Sequence, residues 1–238
     1  TQLQSSAASD VYKRQPPWYY WLMFNLREDY HSALDRSDLK RVSIDGVRYY
    51  MSEEKQEAYP SVTSVLSFIN GPKFAKWRAR VGEEAANAKT KRATTRGTRL
   101  HTLFEHHLNN ESVTDRDEYK VPLINLMFNA AKPVLSKKID NIFQQETFMS
   151  SDRLGLAGTV DLIAEYEGEL AVVDFKTSER TKPEEWLESY FVQLSAYWAM
   201  FSEATGVVPK KLVVFLVAEN GDIQIVERQG QQILDYLR

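Results

Sequence analysis

Residues Gly155–Lys176, GLAGTVDLIAEYEGELAVVDFK, decide how the rest of the chain is read. Leu156–Glu165 and Glu169–Lys176 are rich in Val, Ile, Leu and Ala, and Glu167-Gly168 between them supplies a two-residue turn. The stretch is therefore expected to be a β-hairpin. Side chains alternate faces along a strand, so Asp174 and Lys176 share one face while Val173 and Phe175 point into a core. Counting back from the turn puts Asp161 opposite Asp174, with Cβ atoms roughly 4.5–5.5 Å apart. Two facing carboxylates repel unless a cation lies between them or one takes up a proton. Either aspartate alone fits a strand-end cap at the surface. An opposed pair with a lysine two residues further on fits an oxygen-rich metal site, of the kind that suits Mg²⁺ or Mn²⁺.

GTVDLI followed by VVDFKTS resembles the core of the PD-(D/E)XK nuclease superfamily in its RecB-like branch. That branch's pattern also has an upstream helical His and a downstream Gln-x-x-x-Tyr helix. This chain offers His101 in RGTRLHTLFEHHL, and Gln193 with Tyr197 in QLSAY. The wider run from AYPSVTSVL through FAKWRARVGEEAANAKTKRATTRGTRLH is similar to phage exonucleases and the mitochondrial genome maintenance exonuclease group. The resemblance covers roughly residues 40–228. It implies an α/β fold: a restriction-endonuclease-like mixed sheet flanked by helices, with an N-terminal helical module.

It also implies metal-dependent hydrolysis of phosphodiester bonds, exonucleolytic on DNA that is single-stranded or has free ends. A structure-specific endonuclease or a non-catalytic DNA-binding subunit on the same fold are the alternatives. The implied metal ligands are His101, Asp161, Asp174 and the Phe175 main-chain carbonyl. Lys176, Gln193 and Tyr197 complete the catalytic set. Glu105, one turn after His101, would orient its ring from behind. Glu146, in the expected strand Asn141–Met149, is a further acidic candidate.

Composition narrows the class. A chain of 238 residues, 43% hydrophobic and with net charge −3, can build one main core and does not advertise nucleic acid as a whole. Without cysteine there is neither a disulfide nor a thiolate metal site, and no iron–sulfur cluster of the kind some RecB-like nucleases carry. No apolar run approaches the ~18 residues of a membrane span, so no membrane partner is expected. Trp18–Phe24 (WYYWLMF) is too short for one and lacks a signal peptide's layout. A cytoplasmic setting, in a bacterium or a phage-infected host, is the expectation.

Positive charge is concentrated locally. Nine Lys/Arg against two Glu lie between Lys73 and Arg99, a segment of +7 in a chain of −3. Such a segment is either a solvated helix face or a footprint for phosphates. Lys89, Arg92, Arg96 and Arg99 share one stripe at helical spacing, with Lys91 beside it. The aromatic-basic run before it, with Phe74, Trp77, Arg78 and Arg80, could stack on bases. In one continuous helix His101 would lie about 120–180° around from the cation stripe, unless Gly97 breaks the helix.

The remaining organisation follows from local signals. Residues 1–15 are expected to be a disordered leader. Asp10–Gln15 back-translates onto a transposon end used in sequencing libraries, which marks a read artefact. The nuclease domain is expected over 40–238. Its hairpin and helical module carrying the His motif fill 40–135, and its catalytic core fills 141–228. Asp45-Gly46 marks a hairpin in Arg41–Ser52. A short helix is expected from Ser61 to Asn70-Gly71-Pro72, and a long one from Gly82 to Leu108. Val121–Leu135 reads as a helix broken by Pro133, and a capping box at Thr181–Glu184 starts another, running to Ala204. Strands at Lys211–Ala218 and Asp222–Glu227 precede a helix that stops at the last residue, as a truncated chain would.

Overall fold

A computed structural model describes residues 23–52 and 56–238; the expected leader over residues 1–15 and most of the WYYWLMF run lie outside them. Among the described residues the strands are β1 (Asn25–Leu26), β2 (Lys40–Ile44), β3 (Val47–Ser52), β4 (Glu57–Pro60), β5 (Ile139–Ser151), β6 (Leu156–Tyr166), β7 (Glu169–Ser178), β8 (Lys211–Ala218) and β9 (Ile223–Gln229). The helices are α1 (Val62–Val81), α2 (Glu83–Leu108), α3 (Pro122–Lys138), α4 (Glu188–Thr205) and α5 (Gln231–Tyr236). A six-stranded mixed sheet runs in the order β1-β5-β6-β7-β8-β9, and β2-β3-β4 form a separate antiparallel sheet. β7 and β8 pair in parallel, so the chain must cross over between them, and α4 is that crossover.

The β6–β7 hairpin turns where its sequence says. Glu167 (φ 51°) and Gly168 (φ 78°) are both left-handed, as a type I′ turn requires. Pairs run from Tyr166 opposite Glu169 to Leu162 opposite Val173. The next position in that register is Asp161 opposite Asp174.

Both faces of the large sheet are covered. On one, Leu100, Leu103, Phe104 and Leu108 of α2 and Ile124, Met127 and Phe128 of α3 pack with Val173, Phe175, Val213 and Phe215. On the other, Phe191, Leu194, Met200 and Phe201 of α4 pack with Ile163, Val172, Leu212 and Val214. α2 and α3 thus share an apolar core with β6, β7 and β8. No helix among the described residues is long and apolar enough to cross a membrane.

Three local expectations are corrected. α1 begins at Ser61, whose side chain accepts from the Ser64 amide, but runs through Asn70-Gly71-Pro72 to Val81. α3 likewise runs through Pro133 to Lys138. A proline frees the carbonyl four residues earlier; here those belong to Phe68 and Asn129, both exposed, where water can take the lost bond. In α3 the buried stripe of Ile124, Met127, Phe128, Ala131 and Leu135 continues across the proline and holds the helix. Thr181–Glu184 does not cap α4: a short 3-10 turn at Glu184–Trp186 intervenes, and α4 starts at Glu188. Gly97 leaves α2 continuous; it lies 3.7 Å, measured from an added Cβ, from Thr177 Oγ1, where the helix passes β7.

Candidate active site

Three elements deliver one cluster. His101 comes from α2, Glu146 from β5 and Asp161 from β6, and a ligand atom from each lies within 4.8 Å of the other two. His101 Nδ1 is 3.8 Å from Glu146 Oε1 and 3.7 Å from Asp161 Oδ2. Glu146 gets there because β5 is irregular. Its φ is +46°, a rare conformation for a residue with a Cβ, and register shifts precede it between Ile139 and Gln144. The pairs Gln145–Leu162 and Thr147–Val160 flank it, which sets Glu146 opposite Asp161.

The ring of His101 is aimed by the main chain. Its Nε2–H donates to the Phe175 carbonyl at 2.8 Å, which leaves Nδ1 facing the two carboxylates. The Phe175 carbonyl, expected among the metal ligands, thus meets the imidazole here. One expectation is corrected: Glu105 does not orient the ring. The Glu105 main-chain carbonyl instead accepts from Gln145 Nε2 at 2.9 Å, tying α2 to β5. Asp161 Oδ2 accepts from the Phe175 amide at 2.8 Å, so a side chain takes the bond that the hairpin ladder would have continued with. Burial works against a charged His101, but Asp161 and Glu146 outweigh it and raise its pKa to about 9.

Asp174 and Lys176 stand beside this cluster as a buried ion pair, Nζ to Oδ2 2.5 Å, with Asp174 only 1% exposed. Burial pushes the Asp174 carboxyl up, while the carboxylates of Asp174 and Asp161 hold the Lys176 ammonium above its ordinary value against burial. Asp174 Oδ2 is taken by the Lys176 ammonium, whereas the buried Oδ1 has no hydrogen-bond partner among the described residues. A buried carboxylate oxygen left so is costly unless a cation or a donor completes it.

α4 closes the site. Gln193 Nε2 donates to Tyr197 Oη at 3.3 Å, and burial pushes the Tyr197 phenol up, so that it stays a proton donor. The phenol lies on Gly158, where an added Cβ would fall 2.8 Å from Tyr197 Cε1. The glycine of GTVD is there to let the tyrosine approach.

The basic residues divide. Lys89, Lys91, Arg92 and Arg99 are exposed, but Arg96 is buried and pairs with Glu219. Arg92 reaches the same carboxylate at 2.5 Å. Glu219 follows β8, and its amide bonds the Ser178 carbonyl at the end of β7. Arg96 is therefore a tie between the helix bearing His101 and the strand bearing Lys176, and departs from the expected solvent-facing stripe. Arg78 pairs with Glu83 and bonds Asn87 at 2.6 Å, while Trp77 stacks on Phe74.

The set of one imidazole nitrogen and carboxylate oxygens suits a hard divalent cation. His101, Glu146 and Asp161, whose ligand atoms lie within 4.8 Å of one another, could hold such an ion between them.

Sequence comparison agrees with this geometry. The family model of the PD-(D/E)XK nuclease superfamily, whose members use divalent metals, matches residues 61–236. The chain is 27% identical over 183 residues to mitochondrial genome maintenance exonuclease 1 of Homo sapiens, covering 72% of this chain and 52% of that protein. It is 28% identical over 138 residues to the same-named protein of Mus musculus, covering 54% and 40%. The chain thus spans about half the length of these relatives or less. A solved structure from Eubacterium rectale, described as a candidate exonuclease, is similar at a TM-score of 0.42 and 16% identity, covering 61% of this chain and 62% of that one. By its matched sequence, the chain belongs to the PD-(D/E)XK nuclease superfamily.

Proposed function

We propose that the protein is a Mg²⁺- or Mn²⁺-dependent DNA exonuclease of DNA degradation, recombination or repair. The observation that carries this is the convergence of His101, Glu146 and Asp161 beside the buried Asp174–Lys176 pair. The names of the two mammalian relatives support exonucleolytic action. His101, Glu146, Asp161 and Asp174 would hold the cation. When bound, it would lower the pKa of a water and stabilise charge building on the phosphate.

The chain's own groups supply the rest. Lys176, kept protonated by its carboxylate neighbours, offers a fixed positive charge to the phosphate as negative charge develops. Gln193 and Tyr197 present donors from α4 for the non-bridging oxygens. Exposed Lys89, Lys91 and Arg99 attract the backbone at longer range.

The test is digestion of end-labelled single- and double-stranded DNA with Mg²⁺ or Mn²⁺, alongside covalently closed circles. Linear strands should shorten from their ends, circles should survive, and a chelator should stop the reaction. Nicked circles would assign an endonuclease; intact linear strands would remove the nuclease reading.

A further inference from the structure

Lys176 has a second neighbour that the hydrolytic scheme leaves unused. Its ammonium pairs with Asp174 and also lies 5.1 Å from the ring centroid of Tyr190, in the first turn of α4. An ammonium carries three rotatable N–H donors, so one carboxylate does not settle where the other two point. An aromatic face attracts such a cation and adds no net charge to the site.

The ring is itself pinned. Lys182 Nζ donates to Tyr190 Oη at 2.8 Å and lies 5.1 Å from the same centroid. Lys182 is fixed in turn: its amide donates to Gln224 Oε1 at 2.8 Å, and its carbonyl accepts from Gln224 Nε2 at 2.7 Å. One side-chain amide of β9 thus holds both main-chain groups of Lys182. Those two bonds already tie the approach to α4 onto the sheet. The Lys182 side chain is therefore spare for the phenol, and through it for Lys176.

We propose that Tyr190 and Lys182 are positioning residues for Lys176, the pinned ring selecting the lysine rotamer that faces the scissile phosphate. The proposal rests on the nuclease reading above. Without the ring the ammonium spreads over every rotamer that Asp174 permits, and only the aimed fraction serves the transition state. Tyr190→Leu should therefore lower kcat about 10- to 30-fold with KM unchanged, the equivalent of about 1.4–2 kcal/mol for a desolvated cation–π contact. Tyr190→Phe keeps the face and loses the pin, so kcat should fall less, and Lys182→Met should fall by the same factor. In a Lys176→Ala background Tyr190→Leu should cost nothing more, because no ammonium is left to aim.

Unfolding reads the same contact without substrate. The double variant Tyr190→Leu/Lys176→Met should lose less stability than the sum of its two single variants. A kcat loss for Tyr190→Leu that persists undiminished in Lys176→Ala overturns the proposal. A raised KM with kcat unchanged overturns it too, by making Tyr190 a strand contact. Absent cleavage by wild type faults the nuclease reading; coupled unfolding then still upholds the Lys176–Tyr190 contact, and additive unfolding overturns it.

Discussion

The two faces of the large sheet are built from one hairpin and differ in what they bury. Val173 and Phe175 of β7 meet Phe104 and Phe128, with the Phe104 and Phe175 centroids 4.9 Å apart, and that face is almost wholly apolar. One residue out of phase, Asp174 and Lys176 turn to the face covered by α4, where Gln193 and Tyr197 are also buried. The first face derives its free energy from removing apolar area from water. The second places two charges in low dielectric, which stability alone does not reward. One face holds the molecule together and the other holds a reactive geometry.

The strongest way to break the comparison is on the apolar face. Phe104→Ala should cost about 3–5 kcal/mol in denaturant unfolding, because Phe104 is fully buried among rings that cannot collapse into the gap. A loss under about 1 kcal/mol would mean this face does not carry the fold.

On the polar face the expectation inverts. Lys176→Ala should lower turnover about 10²–10³-fold while DNA binding changes little, since its charge acts on the developing transition state. The double variant Asp174→Asn/Lys176→Met should also be inactive yet unfold within about 1 kcal/mol of wild type, or above it, because a buried ion pair replaced whole is near neutral or stabilising. Wild-type cleavage by Lys176→Ala would make the lysine a structural residue.

A pH measurement sharpens the comparison at its edge. His107 has its ring edge-on to Phe24 and Phe128, centroids 5.2 and 5.6 Å away. Burial, with Lys132 nearby, lowers its pKa to about 4. The folded state refuses a proton that the unfolded chain accepts near 6.5, so stability is complete above pH 6.5. It is lost as pH falls from there through about 4, by up to about 3 kcal/mol. His107→Leu should show a smaller loss between pH 7.5 and 4.5 in paired unfolding curves. An unchanged pH dependence would place the acid sensitivity elsewhere.

The smallest effect concerns charges outside both faces. Lys89 and Arg99 are free to meet phosphate, so each replacement by Ala should flatten the log–log salt dependence of single-strand binding by about 0.7. Arg96→Ala should leave that slope unchanged and lower stability instead, because it removes the buried one of the two arginines that pair with Glu219. A slope that falls with Arg96 and not with Lys89 would reverse the assignment.

What the sequence determined about this protein is what depends on neighbours along the chain. The β6–β7 register followed from a two-residue turn, since Glu167 and Gly168 fix the pairing before any other element is present. The buried stripe of α2 followed from helical spacing of Leu100, Leu103, Phe104 and Leu108. His101, Asp161, Asp174 and Lys176 could be named in advance from their resemblance to a family pattern, and the structure gathers them in one place.

Only the tertiary structure decided the rest. Glu146 joins the cluster at a positive φ just beyond the register shifts of β5, which no propensity in QQET announces. The Phe175 carbonyl goes to His101, 74 residues away, and Arg96 goes to Glu219, 123 residues away. α1 passes through Gly71-Pro72 because the carbonyl so freed lies on an exposed face. Turns and helical stripes are settled over a few residues of chain. Which buried donor meets which acceptor is settled only when the sheet and its helices close on one another.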